Sequence, residues 1–249
     1  MNVIIGIVSH GHGSLIEQNS YLHGLKKITG VKIVVKDNLG DPSLEKYCLR
    51  NGLGYISGSK GLGFGANNNF IFKYCQMYPM DYFLVMNPDV YITVDNFKLF
   101  IKTICSSNNQ LFTVDLYRNF EMTIRDNSVR KFPKLTDFFT SFLFSRNSTV
   151  YDRSKSLGEV DWCAGSFICF SKGLFEKLNG FDEGFFMYCE DLDICKRSND
   201  EGYKLVYIPE VKAVHTAAFN NRNVFTKHFF WHICSVMRYL VKNRLKGGV

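Results

Sequence analysis

Residues 1–90 alternate short apolar, β-branched runs with segments of helical apolar spacing, and this alternation constrains the fold more than any other feature. The runs predict strands at Asn2–Val8, Val31–Lys36, Tyr55–Ser57 and Tyr82–Met86, and the segments between them predict helices at Ser14–Ile28, Leu44–Leu49 and Ala66–Tyr74. Such alternation is typical of an α/β fold, a mostly parallel sheet flanked by helices with right-handed crossovers.

Polar residues follow three of these strands where the chain leaves the sheet. They are Ser9-His10, Asp37-Asn38 and Asn87-Pro88-Asp89. Ligands of parallel sheets bind at the carboxyl ends of the strands, so we expect a ligand site at this edge. Asp89 on a rigid proline turn suits a divalent cation, because Mg²⁺ takes one or two carboxylates plus phosphate oxygens. A turn aspartate that only accepts backbone hydrogen bonds is the alternative.

Three other segments carry residues that could bind a ligand or act in catalysis. Gly58–Gly65 lacks the spacing of a dinucleotide-binding loop and of a P-loop, which disfavours a dehydrogenase or an NTPase. Its glycines still permit close approach of the backbone to a nucleotide. Glu190–Asp193 opens a predicted helix, where its carboxylates either complement the helix dipole or supply a general base. His215 ends a late strand, and a structural histidine is the alternative to a metal ligand there.

The second half of the chain is less regular. It predicts helices at Asp95–Cys105, Leu174–Leu178 and Val224–Leu245, and strands at Leu111–Tyr117, Val160–Phe170, Leu205–Ile208 and Val211–His215. Residues 125–158 show weak periodicity, a basic surplus and many aromatic residues. Such a segment is typical of a functional or mobile insert.

The net charge of +7 is confined to one end of the sequence. Glu210 is the last acidic residue, and the excess comes from Lys212, Arg222, Lys227, Arg238, Lys242, Arg244 and Lys246. Residues 1–210 are neutral overall and contain a carboxylate-rich motif. This distribution disfavours nucleic acid as a partner, because nucleic-acid binding needs a basic stripe across the folded surface.

Nothing in the sequence predicts a membrane span or export. No apolar run approaches the ~20 residues that span a bilayer, and the N-terminus lacks the basic region of a signal peptide. We therefore expect a cytoplasmic protein whose eight cysteines are reduced and are mostly buried as small apolar residues.

In chain order, these segments resemble a family-2 glycosyltransferase of the GT-A fold over nearly the whole chain. The resemblance rests on Val8–His10, Val35–Asn38, Gly63–Gly65 with Asn67–Asn69, Met86–Asp89 and Asn179–Asp193. A closer resemblance, to the WbbL-type rhamnosyltransferases of O-antigen and lipopolysaccharide biosynthesis, rests on Ser128–Pro133, Asp161–Phe167 and Trp231–Leu240.

The resemblance implies an activity and a set of site residues. The activity is inverting transfer of L-rhamnose from dTDP-L-rhamnose to N-acetylglucosaminyl-diphospho-undecaprenol. Asp191 would be the catalytic base, and Asp89, with His215, would bind Mg²⁺ or Mn²⁺, although Asn87 replaces the first aspartate of the family's DxD motif. The nucleotide sugar would contact Ser9, His10, Asp37, Asn38, Gly63, Phe64, Gly65, Asn68, Asn87 and Asp89. The acceptor would contact Trp162, Tyr188, Glu190, Arg130 and Arg222.

The resemblance also implies a domain plan. Residues 1–220 would form one GT-A domain, with a nucleotide-sugar-binding half at 1–90 and an acceptor and catalytic half at 91–220. Residues 221–249 would form a basic amphipathic helix. A lipid-linked acceptor favours peripheral attachment of this helix to an anionic membrane, on the cytoplasmic face of the inner membrane. Packing of the helix on the domain is the alternative.

Two other activities stay open at this point. The first keeps the fold and transfers another hexose from a UDP- or dTDP-sugar to a polysaccharide or lipid-linked acceptor. The second is a non-catalytic binder of anionic polymers, suggested by the basic C-terminal segment alone.

Overall fold

The computed structural model describes residues 1–133, 137, 149–152, 158–216 and 227–246. Its first half alternates strands and helices in the predicted order: β1 Val3–Ser9, α1 Gly13–Gln18, α2 Tyr21–Leu25, β2 Val31–Asp37, α3 Pro42–Arg50, β3 Gly54–Ile56, α4 Phe64–Cys75 and β4 Tyr82–Met86. The second half continues with β5 Val90–Tyr91, α5 Val94–Cys105, β6 Leu111–Tyr117, β7 Val129–Arg130, β8 Glu159–Val160, β9 Trp162–Cys163, β10 Phe167–Ser171, α6 Lys172–Lys177, α7 Glu190–Asp200, β11 Leu205–His215 and α8 Lys227–Lys246.

The described strands form a large mixed sheet in the order β3-β2-β1-β4-β10-β6-β11-β5. Strand β8 lies outside this order and pairs antiparallel with β11. Strands β1 to β4 are mutually parallel, and β11 runs parallel to β6. Strand β10 is antiparallel to both β4 and β6, so all these parallel strands end at one edge of the sheet. This arrangement confirms the predicted α/β fold with a mostly parallel sheet.

The sheet separates two apolar layers, because both of its faces are covered. Val3, Ile5 and Ile7 of β1 face the layer under α1, α2, α3 and α5, whereas Ile4 faces the layer under α4 and α6. Burial on both faces explains why the central strands are continuous apolar runs and not alternating ones. Six of the eight free cysteines are buried, as expected of small apolar residues.

The single helix predicted at Ser14–Ile28 is wrong, because the structure has two short helices there. Asn19 ends α1 and is fully buried, and its side-chain amide donates to the Val90 carbonyl at 2.9 Å. This long-range bond, which local periodicity does not reveal, places a break before Tyr21. Helix α4 also begins at Phe64, two residues before the predicted start at Ala66.

In the second half of the chain, one predicted strand is split in two and two predicted strands are joined into one. The apolar run 160–170 is not one strand, because the turn at Gly165-Ser166 separates β9 from β10. Conversely, the two strands predicted at 205–208 and 211–215 are one strand, β11, with a register shift between Ile208 and Lys212. Pro209 lies in this shift, where a residue without an N–H is tolerated.

Helix α8 confirms the predicted terminal helix over its described length and packs on the domain. Tyr239 is buried with Phe185 and Cys189, which precede α7, and with Leu192 in its first turn. Within the described ranges, no helix is long and apolar enough to cross a membrane. Residues 134–136, 138–148 and 153–157, most of the predicted insert, lie outside the described residues.

Candidate active site

The carboxyl edge of the sheet gathers the polar residues that the sequence singled out. Ser9, Asp37 and His215 end β1, β2 and β11, and Asn87 directly follows β4. The Ser9 hydroxyl accepts the His12 N–H at 3.1 Å, which shapes the turn after β1. The structure therefore brings these polar residues to one edge of the sheet, and ligand binding there stays a prediction.

Asp37 is buried, and donors of the chain itself engage its carboxylate. Its Oδ1 accepts the backbone N–H groups of Leu39 (2.9 Å) and Gly40 (2.8 Å). Its Oδ2 accepts the Asp41 N–H and the Tyr55 hydroxyl (2.9 Å for the latter). Burial alone would raise the pKa of Asp37, but these donors hold it below its usual value. A contact of Asp37 with a nucleotide stays a prediction. To make it, Asp37 would replace one of these hydrogen bonds with a bond from the nucleotide.

Asn38 holds the glycine-rich loop against the ends of β1 and β2. Its Nδ2 lies 2.9 Å from His10 Nδ1 and donates to the Leu62 carbonyl at 2.9 Å, while its Oδ1 accepts the Leu62 N–H at 3.0 Å. The fully buried Lys36 donates to the Gly58 carbonyl at 2.6 Å. His10 and Asn38 are thus brought together as predicted, and the loop after β3 is fixed beside them.

The glycines at the start of α4 permit close packing. The Phe64 N–H donates to the Phe186 carbonyl at 3.0 Å, and a Cβ on Gly63 would collide with that carbonyl. A Cβ on Gly65 would lie 2.7 Å from the Phe181 Cβ. This packing explains both glycines without a ligand, so contacts of Gly63, Phe64 and Gly65 with a nucleotide stay predictions.

Asn68 lies one turn further along α4 and is fully buried. Its Nδ2 donates to the Phe64 carbonyl at 3.0 Å, while its Oδ1 has no hydrogen-bond partner among the described residues. Asn68 therefore stabilises the start of the helix, and its predicted contact with the nucleotide sugar also stays a prediction.

Asp89 and His215 face each other at the sheet edge. The His215 Nε2 lies 3.5 Å from Asp89 Oδ1, and its Nδ1 lies 2.6 Å from Asp126 Oδ2. Burial alone would raise the pKa of Asp126, but the bond and charge of His215, with Arg118 nearby, lower it. Asp126 therefore orients the imidazole so that Nε2 points toward Asp89, as carboxylates do for histidines that bind metals.

The donor set fits a divalent cation that is completed by a ligand. Among the described residues, no three His, Cys, Asp or Glu side chains converge into a cage of their own. An Asp89 oxygen and the His215 nitrogen leave most coordination positions to phosphate oxygens and water, which is how Mg²⁺ and Mn²⁺ sites beside diphosphates are built. The chemistry that such an ion supplies is neutralisation of a departing diphosphate.

Asp191 lies largely buried in the first turn of α7. Its Oδ2 accepts the Gly165 N–H at 3.1 Å, and its Oδ1 accepts the Leu192 N–H at 2.8 Å. Burial raises the pKa of Asp191, although these N–H groups and the charge of Arg130 oppose the rise. Burial, followed by the charge of Asp191, raises the pKa of Glu190 to about 8. A raised pKa makes an ionised carboxylate a stronger proton acceptor, which suits a general base.

One turn bonds both the loop that carries Asp89 and the carboxylate of Asp191. Gly165 donates to Asp191, and the carbonyl of the next residue, Ser166, accepts the Asn87 N–H at 2.9 Å. A Cβ on Gly165 would lie 2.8 Å from the Phe64 ring, so this approach requires glycine. The start of the Asp89 loop and the Asp191 carboxylate are therefore tied to adjacent residues of the same turn.

The predicted acceptor residues lie on the Asp191 side. Arg130 and Trp162 are cross-strand partners in β7 and β9, with the guanidinium 5.3 Å from the indole centroid. The Tyr188 hydroxyl lies 3.1 Å from His228 Nδ1 of α8. These side chains are brought together with Asp191, but their contact with an acceptor stays a prediction. Arg222 lies outside the described residues.

Three residues that position other groups are not assigned a role by the sequence. Asp126 lies in the irregular insert, where no periodicity marks it. Gly165 and Asn69 lie in the segments Asp161–Phe167 and Asn67–Asn69, which carry the family resemblance, but the resemblance implies no role for either residue. The Asn69 Oδ1 accepts the Phe181 N–H at 2.8 Å and its Nδ2 donates to the Phe181 carbonyl at 2.9 Å. All three act over long sequence separations, which local patterns do not record.

Two sequence relatives are informative, although no family model matches the chain. Rhamnosyltransferase WbbL of Escherichia coli (strain K12) is 40% identical over 251 residues, covering 98% of this chain and 94% of that protein. N-acetylglucosaminyl-diphospho-decaprenol L-rhamnosyltransferase of Mycobacterium tuberculosis is 32% identical over 81 residues, covering 32% of this chain and 26% of that protein.

The fold has a counterpart of known structure. Mannosyltransferase PcManGT from Pyrobaculum calidifontis, in complex with GDP-Man and Mn²⁺, superposes with a TM-score of 0.64 at 14% identity, over 95% of this chain and 64% of that chain. This likeness identifies the fold, and the full-length similarity to WbbL identifies the family. The chain belongs to the WbbL rhamnosyltransferase family and is a glycosyltransferase of the GT-A fold.

Proposed function

We propose that this enzyme transfers L-rhamnose from dTDP-L-rhamnose to N-acetylglucosaminyl-diphospho-undecaprenol in O-antigen synthesis, with inversion at the anomeric carbon. The observation that carries the proposal is the turn at Gly165-Ser166, which bonds both the Asp191 carboxylate and Asn87 at the start of the Asp89 loop. The names of the two rhamnosyltransferase relatives support the sugar, and the mycobacterial name supports a polyprenyl-diphosphate acceptor.

Asp191 is the proposed general base. The acceptor hydroxyl attacks the anomeric carbon while Asp191 takes its proton, and the bond to the departing dTDP breaks in the same displacement. The Gly165 and Leu192 N–H groups each hold one carboxylate oxygen, and the second lone pair of either oxygen is left to receive the proton. A β-linked donor sugar then gives an α-linked product.

Asp89 and His215 are the proposed ligands of Mg²⁺ or Mn²⁺ beside the donor diphosphate. The 3.5 Å separation of the His215 Nε2 and Asp89 Oδ1 atoms supports this assignment, since both face the same point. The Mn²⁺ named with PcManGT supports the choice of metal class.

Trp162, Tyr188 and Arg130 are the proposed acceptor contacts, together with Glu190 and Arg222. Aromatic rings suit the apolar face of the N-acetylglucosamine ring, and the guanidinium of Arg130 suits its diphosphate. The position of Arg130 beside the Trp162 indole, 5.3 Å from its centroid, supports this arrangement.

The outer face of α8 is the proposed docking surface for an anionic membrane on the cytoplasmic face. Phe230, Ile233, Met237 and Val241 recur at helical spacing and are exposed, so they form an apolar stripe. Residues 211–249 contain no acidic residue, which favours anionic phospholipids as the occupant. Arg238 and Lys242, which the sequence suggested as lipid-facing cations, instead form ion pairs with the domain carboxylates Asp182 and Asp193.

Sedimentation with vesicles tests the membrane proposal. The double variant F230S/M237S removes half of the stripe, and L49S removes an exposed leucine from α3 as a matched control. We expect the wild-type protein and L49S to bind phosphatidylglycerol vesicles better than phosphatidylcholine vesicles, and F230S/M237S to bind neither. Equal sedimentation of all three proteins contradicts the proposed surface.

A donor and acceptor assay tests the activity. We expect transfer from dTDP-L-rhamnose to a synthetic GlcNAc-diphospho-lipid, with the product linkage and anomeric configuration read by NMR. Transfer only from another dTDP- or UDP-hexose would replace the sugar and keep the mechanism, whereas a product of retained configuration refutes the mechanism. The non-catalytic binder is wrong, because the chain belongs to a glycosyltransferase family.

A further inference from the structure

Helix α8 contacts the segment that leads into the catalytic carboxylates, residues 182–191, hereafter the base segment. The Ser235 hydroxyl, buried on the inner face of α8, donates to the Met187 carbonyl at 2.8 Å. Tyr239, one turn further, is 4% exposed and packs on Phe185 and Cys189 of the base segment. The helix is thus bound to the chain immediately before Asp191.

The base segment has a strained backbone at its end. Tyr188 and Cys189 have φ values of 72° and 64°, in the left-handed region that residues with a Cβ rarely occupy. Consecutive residues in this conformation persist only when surrounding contacts enforce them. The Met187 carbonyl, held by Ser235, directly precedes this pair, and Asp191 follows two residues after it.

Ion pairs fix the same two elements to each other. Lys242 of α8 lies 2.7 Å from Asp182 Oδ2 and 2.6 Å from Asp193 Oδ1, and Arg238 lies 2.9 Å from Asp182 Oδ1. Burial alone would raise the pKa of Asp182, but the bonds from Lys242, the Gly184 N–H and Arg238 lower it to about 2. Lys242 therefore spans the base segment and the first turn of α7, on either side of Asp191.

We propose that Ser235 and Lys242 are positioning residues of the transferase, which hold the base segment so that the Asp191 carboxylate meets the Gly165 N–H. This inference rests on the proposed role of Asp191 as the base. The terminal helix then has two roles on two faces: its outer stripe is proposed to meet lipid, and its inner face sets the geometry of the base.

The proposal predicts a loss of turnover that exceeds any loss of donor affinity. The proposed donor residues Asp37, at the end of β2, and Asp89, in the loop after β4, are held by bonds that do not involve α8. Only the proposed donor contacts at Gly63 and Phe64 touch the base segment, through Phe186. Removing the Ser235 hydroxyl lets the base segment relax toward ordinary φ values and displaces Asp191. Displacement of a catalytic group by about 1 Å costs on the order of 100-fold in rate.

The experiment compares S235A with C234A, the neighbouring exposed residue on the outer face, which loses one side-chain atom in the same way. A short-chain, water-soluble acceptor excludes lipid docking from the result. We expect S235A to lower kcat about 10- to 100-fold, with a much smaller change in donor affinity and unchanged stoichiometry in calorimetry, and C234A to match the wild-type enzyme. The stoichiometry counts folded protein, so misfolding is recognised separately.

A second pair of variants tests the ion pair between Lys242 and the two aspartates. It keeps the proposal testable if S235A does not fold. K242M removes the cation and K242R retains it, so we expect kcat to fall in the first and to recover in the second. Hydrogen exchange adds a readout that needs no substrate: the amides of residues 185–191 should exchange faster in S235A and K242M, and not in C234A.

The outcomes separate this inference from the proposed function. Unchanged kcat and unchanged exchange in S235A and K242M overturn the positioning role, and so does a fall in kcat that only follows a fall in binding stoichiometry. If the wild-type enzyme uses another nucleotide sugar, that donor replaces dTDP-L-rhamnose in the assay, so the proposed sugar fails while the positioning role is still tested.

Discussion

The two sides of the proposed active site, named here the donor side and the base side after their proposed roles, are fixed in different ways. On the donor side, Asp37 is held by N–H groups at Leu39, Gly40 and Asp41, all within four residues of it. On the base side, Asp191 is held by Gly165, and the segment before it is held by Ser235. The donor side is therefore shaped mainly by local turns, and the base side by contacts between distant parts of the chain.

This difference explains where each side is vulnerable. A local turn reforms whenever its own residues are present, so a substitution there affects mainly the turn itself. A segment held in a left-handed conformation by distant elements depends on all of them at once. Substitutions far from Asp191 in sequence should therefore alter catalysis, whereas the turn around Asp37 should depend mainly on residues 37–41.

The largest expected effect is at the base itself. Asp191→Asn keeps the shape of the side chain and removes proton acceptance, so we expect kcat to fall on the order of 10²- to 10⁴-fold with intact donor binding. Asp200→Asn, at the other end of α7, is the matched control and should retain activity. Near wild-type turnover by the Asp191 variant would remove the basis of the mechanism.

The second effect lies on the donor side but depends on a distant residue. Asp126→Asn weakens the bond that orients His215, and loss of such a partner lowers metal affinity by about 10- to 100-fold. Mn²⁺ affinity, measured by electron paramagnetic resonance with dTDP present, provides the readout. Asp81→Asn, at the opposite end of β4, is the control. Equal affinity in both variants means that Asp126 does not position a metal ligand.

The sequence was sufficient where the determinants of structure are local. Apolar periodicity predicted the parallel sheet, and the residues after β1, β2 and β4 predicted the edge where Ser9, Asp37 and Asn87 lie. The Asp191 position came from resemblance to a family, because a run of carboxylates at a helix start is also explained by the helix dipole.

The sequence was insufficient where the determinants are distant contacts. The break at Asn19 depends on the Val90 carbonyl, and the role of Asp126 depends on His215. The basic residues Arg238 and Lys242 suggested a lipid surface, because their partner Asp182 lies more than fifty residues away in the chain. The sequence does not show whether a basic side chain points toward the domain or toward solvent. The inner and outer faces of α8 are therefore distinguished only by the structure.

Asp37→Asn tests whether the hydrogen bonds that the Asp37 carboxylate accepts stabilise the turn around it. An amide at this position turns an N–H₂ group toward backbone N–H donors, so we expect a loss of about 1–3 kcal/mol in the free energy of unfolding. Tyr55→Phe removes one donor only and should cost less. Urea denaturation measures both. A large loss of donor affinity without a loss of stability would instead make Asp37 a direct nucleotide contact.

Glu190→Gln gives the smallest effect and concerns the coupling within the base side. Glu190 is buried beside the partly buried Asp191, and its pKa is raised to about 8. Transfer requires ionised Asp191, so kcat/KM should rise with pH as Asp191 loses its proton. The charge of Asp191 raises the pKa of Glu190, so Glu190 is still neutral when Asp191 ionises, and Glu190→Gln should leave this acidic limb in place while removing any change in kcat/KM near pH 8. A limb that moves to lower pH in the variant would mean that Glu190 ionises before Asp191.

The same substitution has a signature in stability. The folded protein holds the Glu190 proton more tightly than the unfolded chain, whose ordinary pKa is 4.5, so this group's stabilising effect is complete below pH 4.5 and is lost as pH rises toward 8. Glu190→Gln should flatten the decline in Tm over that interval. If Tm of both proteins declines equally, burial of Glu190 is relieved by water or a neighbouring donor.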